Sequence, residues 1–162
     1  MVVGALEGNF QRMLNLYTDE REDFMGQFII VNGSKIIVPT PFLAYTLIVP
    51  PLLTITGTGH ATVGGQPVCQ EGDEKLVIGM CSYTIGSYTT PGTVTITISE
   101  AKTAAYVSSL KPVITAPQWK VKCTRSTQAT LPPPSNLPDL SPPQEMMVSV
   151  TGNPNTFVSV EG

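Results

Sequence analysis

The sequence predicts an all-β fold of many short strands. Three observations carry that expectation. Charged residues make up only 13% of the 162-residue chain while hydrophobic residues make up 41%, so the chain has apolar surface to bury and is not a disordered polyampholyte. Gly (14) and Pro (15) punctuate it throughout, which breaks long elements and favours turns. Between those breaks lie runs of Val, Ile and Thr, the β-branched residues that pack well on a pleated surface. At this length one domain is expected, with a modest core.

The clearest strand is Thr93–Ser99, in which Val94, Ile96 and Ile98 take one face and Thr93, Thr95 and Thr97 the other. Trp119–Cys123 alternates in the same way, placing Trp119, Val121 and Cys123 together and Lys120 and Lys122 opposite. Phe28–Val31, Asn32-Gly33 and Ser34–Val38 read as a hairpin with a type I′ turn, ended by Pro39 and Pro41. Phe42–Val49 and Leu52–Thr58 read as strands broken at Pro50-Pro51. His60–Val63 and Gln66–Gln70 follow around Gly64-Gly65, then Lys75–Ile78 and Met80–Ile85 around Gly79.

Residues 4–25 carry the one helical pattern. Leu6, Phe10, Met13, Leu14 and Tyr17 recur at helical spacing, followed by the charged stretch Thr18–Asp23. Such a segment either covers one end of the sheet or docks on a partner. Residues 131–144 hold six prolines, expected to be extended with little hydrogen bonding of their own. They read as a semi-rigid linker, with an arm docked along the domain as the alternative. Met146–Val150 and Thr156–Val160 look like a closing hairpin or arm over 145–162, which needs the main domain or a partner for stability. The organisation expected is therefore a helical segment (1–25), a β domain (26–130), a proline-rich linker (131–144) and a C-terminal hairpin (145–162).

Several functions are disfavoured. The net charge of −3 and pI near 5.0 provide no basic footprint for nucleic acid. The longest apolar stretch, Phe42–Ile55, is split by Pro50-Pro51 and is shorter than the ~20 residues of a spanning helix. The N-terminus lacks the basic region of a secretory signal. Nucleophile elbows, phosphate loops and zinc-protease motifs are missing, and one histidine limits imidazole chemistry, so an enzyme is not expected. So few surface charges also hint at a chain that is covered in an assembly.

One His and three Cys remain. His60, Cys69, Cys81 and Cys123 have the number and type for tetrahedral zinc, although their spacing matches no zinc-finger pattern. Each also has an ordinary alternative: an exposed turn for His60, simple burial for the thiols.

The stretch Val63-Gly-Gly-Gln-Pro-Val-Cys69, followed by the Gly72-Asp73 turn, resembles the repeat unit of PAAR and PAAR-like proteins. Val31-Asn-Gly-Ser-Lys-Ile-Ile37 looks like a degenerate first copy. Cys81–Ile96 is similar to the continuation seen in PAAR-like spike tips. The Pro-Ala-Ala-Arg tetrapeptide itself is absent, with Gln66-Pro67-Val68-Cys69 in its place. The resemblance covers about residues 55–125.

The resemblance implies a cone-like β domain that caps and sharpens the trimeric spike of a contractile injection system. Such systems include type VI secretion machines, extracellular injection particles and phage tails. It implies a zinc ion, or iron given the thiolate-rich set, held near the vertex by His60, Cys69, Cys81 and Cys123. The implied partner is a trimeric spike of the valine–glycine repeat (VgrG-like) type, with one tip per spike, and effectors or baseplate components beside it. The particle assembles in the cytoplasm and delivers the tip to or through a target envelope on firing. A single chain on a threefold partner must present three roughly equivalent edges, for which Phe42–Ile55 and Val94–Ile98 are the candidates. The competing expectation is a stand-alone β-sandwich or barrel serving as a binding or adhesion module, which has no need of a metal site.

Overall fold

The computed structural model describes residues 27–104, 111–155 and 158–160. Among these residues the structure is all-β, 55% strand and 3% helix, with the main sheet curled into a half-barrel. In chain order the strands are β1 (Gln27–Phe28), β2 (Lys35–Ile37), β3 (Thr46–Ile48), β4 (Leu52–Thr54), β5 (Thr62–Val63), β6 (Gln66–Pro67), β7 (Ile78–Thr84), β8 (Gly92–Ala104), β9 (Val113–Thr127), β10 (Gln144–Gly152) and β11 (Ser159–Val160). A 3₁₀ turn, Asp73–Leu76, precedes β7. The helical pattern in residues 4–25 lies outside the described residues.

The main sheet has the order β3-β7-β8-β9-β10-β2-β4, antiparallel throughout. Its two edge strands, β3 and β4, are separated in sequence only by Val49, Pro50 and Pro51. The sheet must therefore curl until its edges meet. Prolines suit this corner because they cannot donate to a ladder. The seam is closed by packing: β7 carries glycine at position 79, where a Cβ would lie 2.5 Å from Leu53 Cδ2 and 2.8 Å from Pro51 Cγ. Gly79 does not separate two strands; β7 runs straight through it.

Inside lies the larger core. Trp119, Tyr45, Tyr83, Phe42, Ile36, Ile55 and Ile96 are its largest buried side chains, joined by Val94, Val121 and Cys123. Trp119 donates its indole N–H to the Thr115 carbonyl at 2.9 Å. The alternations expected at Thr93–Ser99 and Trp119–Cys123 hold, and both strands extend well beyond them. The outer wall of β8, β9 and β10 carries threonines and the ion pairs Lys120–Glu100 (2.6 Å) and Lys122–Glu145 (3.5 Å).

Two pairings differ from the sequence expectation. Asn32-Gly33 does make a turn, with Ser34 N–H donating to Val31 O at 3.1 Å. Only Gly33 has a positive φ, 85°, whereas type I′ needs one at both central residues. The flanking segments then pair elsewhere, β1 with β11 and β2 with β10 and β4. Likewise β10 and β11 do not form a hairpin with each other. Each is stabilised by the main body, β10 along β9 and β11 along β1. By contrast Gly64 (φ 58°) and Gly65 (φ 79°) both adopt left-handed conformations and join β5 to β6, as a type I′ hairpin requires.

The proline-rich segment is a docked arm. Thr130 bridges both Thr90 and Pro138, and Leu131 N–H donates to Leu137 O. Its anchor is Asp139, 2% exposed. That carboxylate accepts hydrogen bonds from Tyr83 Oη (2.7 Å), Ser141 N (2.8 Å) and Ser141 Oγ (3.0 Å). Arg125 lies beside it and donates to its backbone carbonyl. Tyr45 Oη adds bonds to Ser141 Oγ and Pro142 O. Prolines supply no donors, so the arm forms no continuous ladder and is held by isolated backbone bonds together with these side-chain contacts.

Two consequences are measurable. Gly79→Ala should cost about 1–3 kcal/mol in urea unfolding, because the added methyl overpacks the Pro51–Leu53 seam. Burial alone would raise the Asp139 pKa, but its hydrogen bonds from Ser141 and Tyr83 and the Arg125 charge outweigh this and hold it below the ordinary value. Its stabilising contribution is thus full above the ordinary carboxylate pKa and is lost as pH falls through the lowered one. Asp139→Asn should cost about 1–3 kcal/mol at neutral pH and flatten the acid limb of stability measured by urea titration.

Candidate functional site: a threefold ring of backbone hydrogen bonds

At the end of the barrel remote from the proline-rich arm, three tripeptides far apart in sequence meet: Ile29–Val31, Val68–Gln70 and Val113–Thr115. The last residue of each bridges the first of the next. Val31 pairs with Val68, Gln70 with Val113, and Thr115 with Ile29. The central residues close a second cycle. Ile30 N–H donates to Ile114 O (2.9 Å), Ile114 N–H to Cys69 O (2.8 Å) and Cys69 N–H to Ile30 O (2.9 Å). All nine residues are buried. Buried peptide groups must find partners, and here each segment satisfies the other two.

Alternation sorts the side chains. Ile30, Cys69 and Ile114 point into the larger core. Ile29, Val31, Val68 and Val113 form a second, smaller core on the other side of the ring, with Val63. Around that second core stand three two-stranded ribbons: β11–β1, β5–β6 and the far end of β8 with the start of β9. The correspondence extends to single residues. Ile29 N–H donates to Val158 O (3.2 Å), Val68 N–H to Ala61 O (3.0 Å), and Val113 pairs with Ala104. Val158, Ala61 and Ala104 are the residues that pack against the small core from outside.

The chain is thus three β units about a pseudo-threefold axis. Each enters by a ribbon strand, crosses the ring, runs along the wall, and returns to the next ribbon. The wall pairs are β2 with β4, β7 with β8, and β9 with β10. The third ribbon is closed by joining the two ends of the described chain.

Polar side chains fix each unit. Asp73 accepts from Gln70 N (2.8 Å), Thr58 N (3.0 Å) and Thr58 Oγ1 (2.7 Å). Asn155 Nδ2 donates to Ile29 O (2.9 Å) and Val158 O (2.6 Å). Thr115 Oγ1 donates to Gln27 Oε1 (2.7 Å). At Gly59 a Cβ would sit 2.5 Å from Val68 Cγ2 and 2.7 Å from its carbonyl oxygen, so only glycine allows this strand to lie so close to the ring.

Residues 25–161 match the family described as contractile injection system spike tip protein. The chain belongs to that family. No curated protein matches it. A spike-tip protein associates with a contractile injection spike and is part of a contractile injection particle. Among its described residues no helix is long and apolar enough to cross a membrane.

The residues expected to hold a metal in this spike-tip protein are dispersed. His60 is exposed on the approach to β5. Cys69 is the central residue of one ring tripeptide, and Cys81 and Cys123 lie on the inner faces of β7 and β9. Among the described residues no three His, Cys, Asp or Glu side chains come together as a group able to hold a metal ion. Burial pushes the Cys69 and Cys123 thiols up to about 12, reinforced by Asp73 at Cys69 and by Cys81 at Cys123, and it raises Cys81 as well. All three thiols are neutral and packed in the larger core in this arrangement. They serve as small apolar side chains.

The expected threefold edges need correction in part. Phe42–Ile55 contains β3 and β4, the edge strands of the main sheet rather than of a threefold set. Val94–Ile98 is interior, flanked by β7 and β9, with its apolar side chains in the core. Its alternation reflected core burial. The ring tripeptides are too short to carry a periodicity. Their signal in the sequence is a pair of apolar residues opening each one, directly after a proline in two of the three (Pro67, Pro112).

Cys69→Val should change unfolding stability by less than about 1.5 kcal/mol, as a nearly volume-conserving apolar swap. Cys69→Ser should cost about 1–3 kcal/mol, through a buried hydroxyl. Chelator should leave the Tm of the untagged protein unchanged. A chelator-induced drop in Tm would mean that the thiols carry a metal.

Proposed function

We propose that the chain caps the end of a trimeric spike of the valine–glycine repeat type, one tip per three spike chains, with its three-ribbon end facing the spike. The closed pseudo-threefold ring carries this reading. A threefold spike presents three equivalent edges, and a single chain meets them equally only if it carries three equivalent edges itself. The ribbons β11–β1, β5–β6 and β8–β9 are those edges, and each is short enough to be extended by pairing with a partner strand. The arm end, where Asp139, Tyr83 and Tyr45 draw the chain together, then leads into the target envelope on firing. The role is mechanical: rigid closure at both ends and no dependence on a metal staple.

Native mass spectrometry of the tip mixed with its cognate spike should give one tip per trimer. Arginine in place of exposed ribbon residues, Gln66→Arg with Thr103→Arg, should weaken spike binding at least tenfold. Leu140→Asp on the arm should leave it unchanged. Three tips per trimer, or the opposite pattern of variants, would overturn the proposal.

A further inference from the structure

The pseudo-threefold plan is broken on one flank of the wall. Two of the three junctions between units, β8 with β9 and β10 with β2, are hydrogen-bonded. The third would pair β4 with β7, but β7 pairs there with β3 instead and Pro51 and Leu53 merely pack on Gly79. The outside of that flank is apolar. Ile37 and Leu52 face each other across β2 and β4, 57% and 54% exposed. Ile78 and Met80 on β7 are 64% and 61% exposed, and Ile48 and Val49 continue the strip at the corner. The equivalent outer positions on β8 and β9 are Thr93, Thr95, Thr97, Lys120, Lys122 and Thr124. On the hydrogen-bonded part of the wall β10 adds one exposed apolar side chain, Met147, between exposed Glu145 and Ser149, and the other exposed apolar residues of the wall gather on this flank.

We propose that this strip is the seat of the chain's own N-terminal segment, whose Leu6, Phe10, Met13, Leu14 and Tyr17 supply the covering apolar face. Hydrogen-bonded β2 and β4, about 4.8 Å apart, together with β7 packed across the seam make a strip on the order of 10 Å wide, the width of one helix. From Leu6 to Tyr17 a helix runs about 16 Å. The segment enters the fold at β1, the first strand of the unit that also contributes β2 and β4 to the strip. Residues 18–26 can extend at most about 30 Å, enough to pass from the ring end to the middle of the wall. Charge agrees as well. The connecting stretch carries Asp19, Glu20, Glu22 and Asp23, and exposed Lys35 and Lys75 sit at the ring-end margin of the strip beside Ile37 and Leu76. The family match begins at residue 25, so the segment is an addition to the family's core. Its docking would give a threefold-matched tip one distinct flank.

The test is limited trypsin digestion of the free full chain, without spike, reading the rate of cleavage after Arg12 and Arg21. Ile78→Asp with Met80→Asp replaces exposed side chains, so Tm should change little, while cleavage should accelerate at least tenfold. Leu14→Asp, on the other side of the contact, should do the same. Thr95→Asp with Thr97→Asp on the polar wall should not. Cleavage equally fast in the parent chain and the strip variants would overturn the proposal. So would a concentration-dependent dimer that the strip variants dissolve, since a second copy would then be the occupant.

Discussion

Backbone hydrogen bonding at the ring is the constraint from which the rest of the molecule follows. Ile30, Cys69 and Ile114 are buried, and their peptide groups have no water to turn to. Each bond is worth only about 0.5–1.5 kcal/mol net, but the loss of any one segment breaks two of the three at once. That cooperativity ties three regions of the chain to one axis. Ring geometry then dictates side-chain direction. Central residues must point into the barrel and their neighbours away from it, so one apolar tripeptide serves both the large core and the small one.

The same constraint accounts for what surrounds the ring. A tripeptide can be placed only if its entry and exit are fixed, and each is fixed by a ribbon on one side and a wall strand on the other. Where those connections bend, a polar side chain takes over the unpaired peptide groups: Asp73 beneath one unit, Asn155 beneath another. The opposite end of the barrel obeys a different rule. There the prolines of residues 131–143 supply almost no donors, and closure passes to the Asp139–Tyr83–Ser141 network. One end is a peptide ring and the other a side-chain lock. Both keep the short strands between them from fraying.

Local features of this plan were legible in the sequence, and non-local ones were not. Val94, Ile96 and Ile98 announce their burial by period alone, and Gly64-Gly65 announces its turn because only glycine takes two successive positive φ values cheaply. Asn32-Gly33 shows where this stops. The turn is there, but the partner of Val31 is Val68, which no turn residue can specify. The arm is similar: proline content described its backbone, while its docking depended on a single acid, Asp139, placed against Tyr83. The cysteines show how far a count of donors reaches. Counting donors ignores direction, and strand alternation turns all three thiols into apolar core while His60 stays outside.

Exact threefold symmetry is not available to a single chain, and the way it fails has functional weight. Three ribbons of unrelated sequence converge on the same pairing geometry at the ring. Along the wall the units diverge. The corner Val49–Pro51 converts what would be a third hydrogen-bonded junction into a packed seam, with Gly79 making room for it. A seam held by packing tolerates an apolar exterior that a regular sheet edge does not, because the prolines already prevent a foreign strand from pairing there. The asymmetry is therefore safe against edge-to-edge aggregation and open to a helix. If the ring end seats on a symmetric spike as proposed, a wall that is one-sided would mark one direction around it.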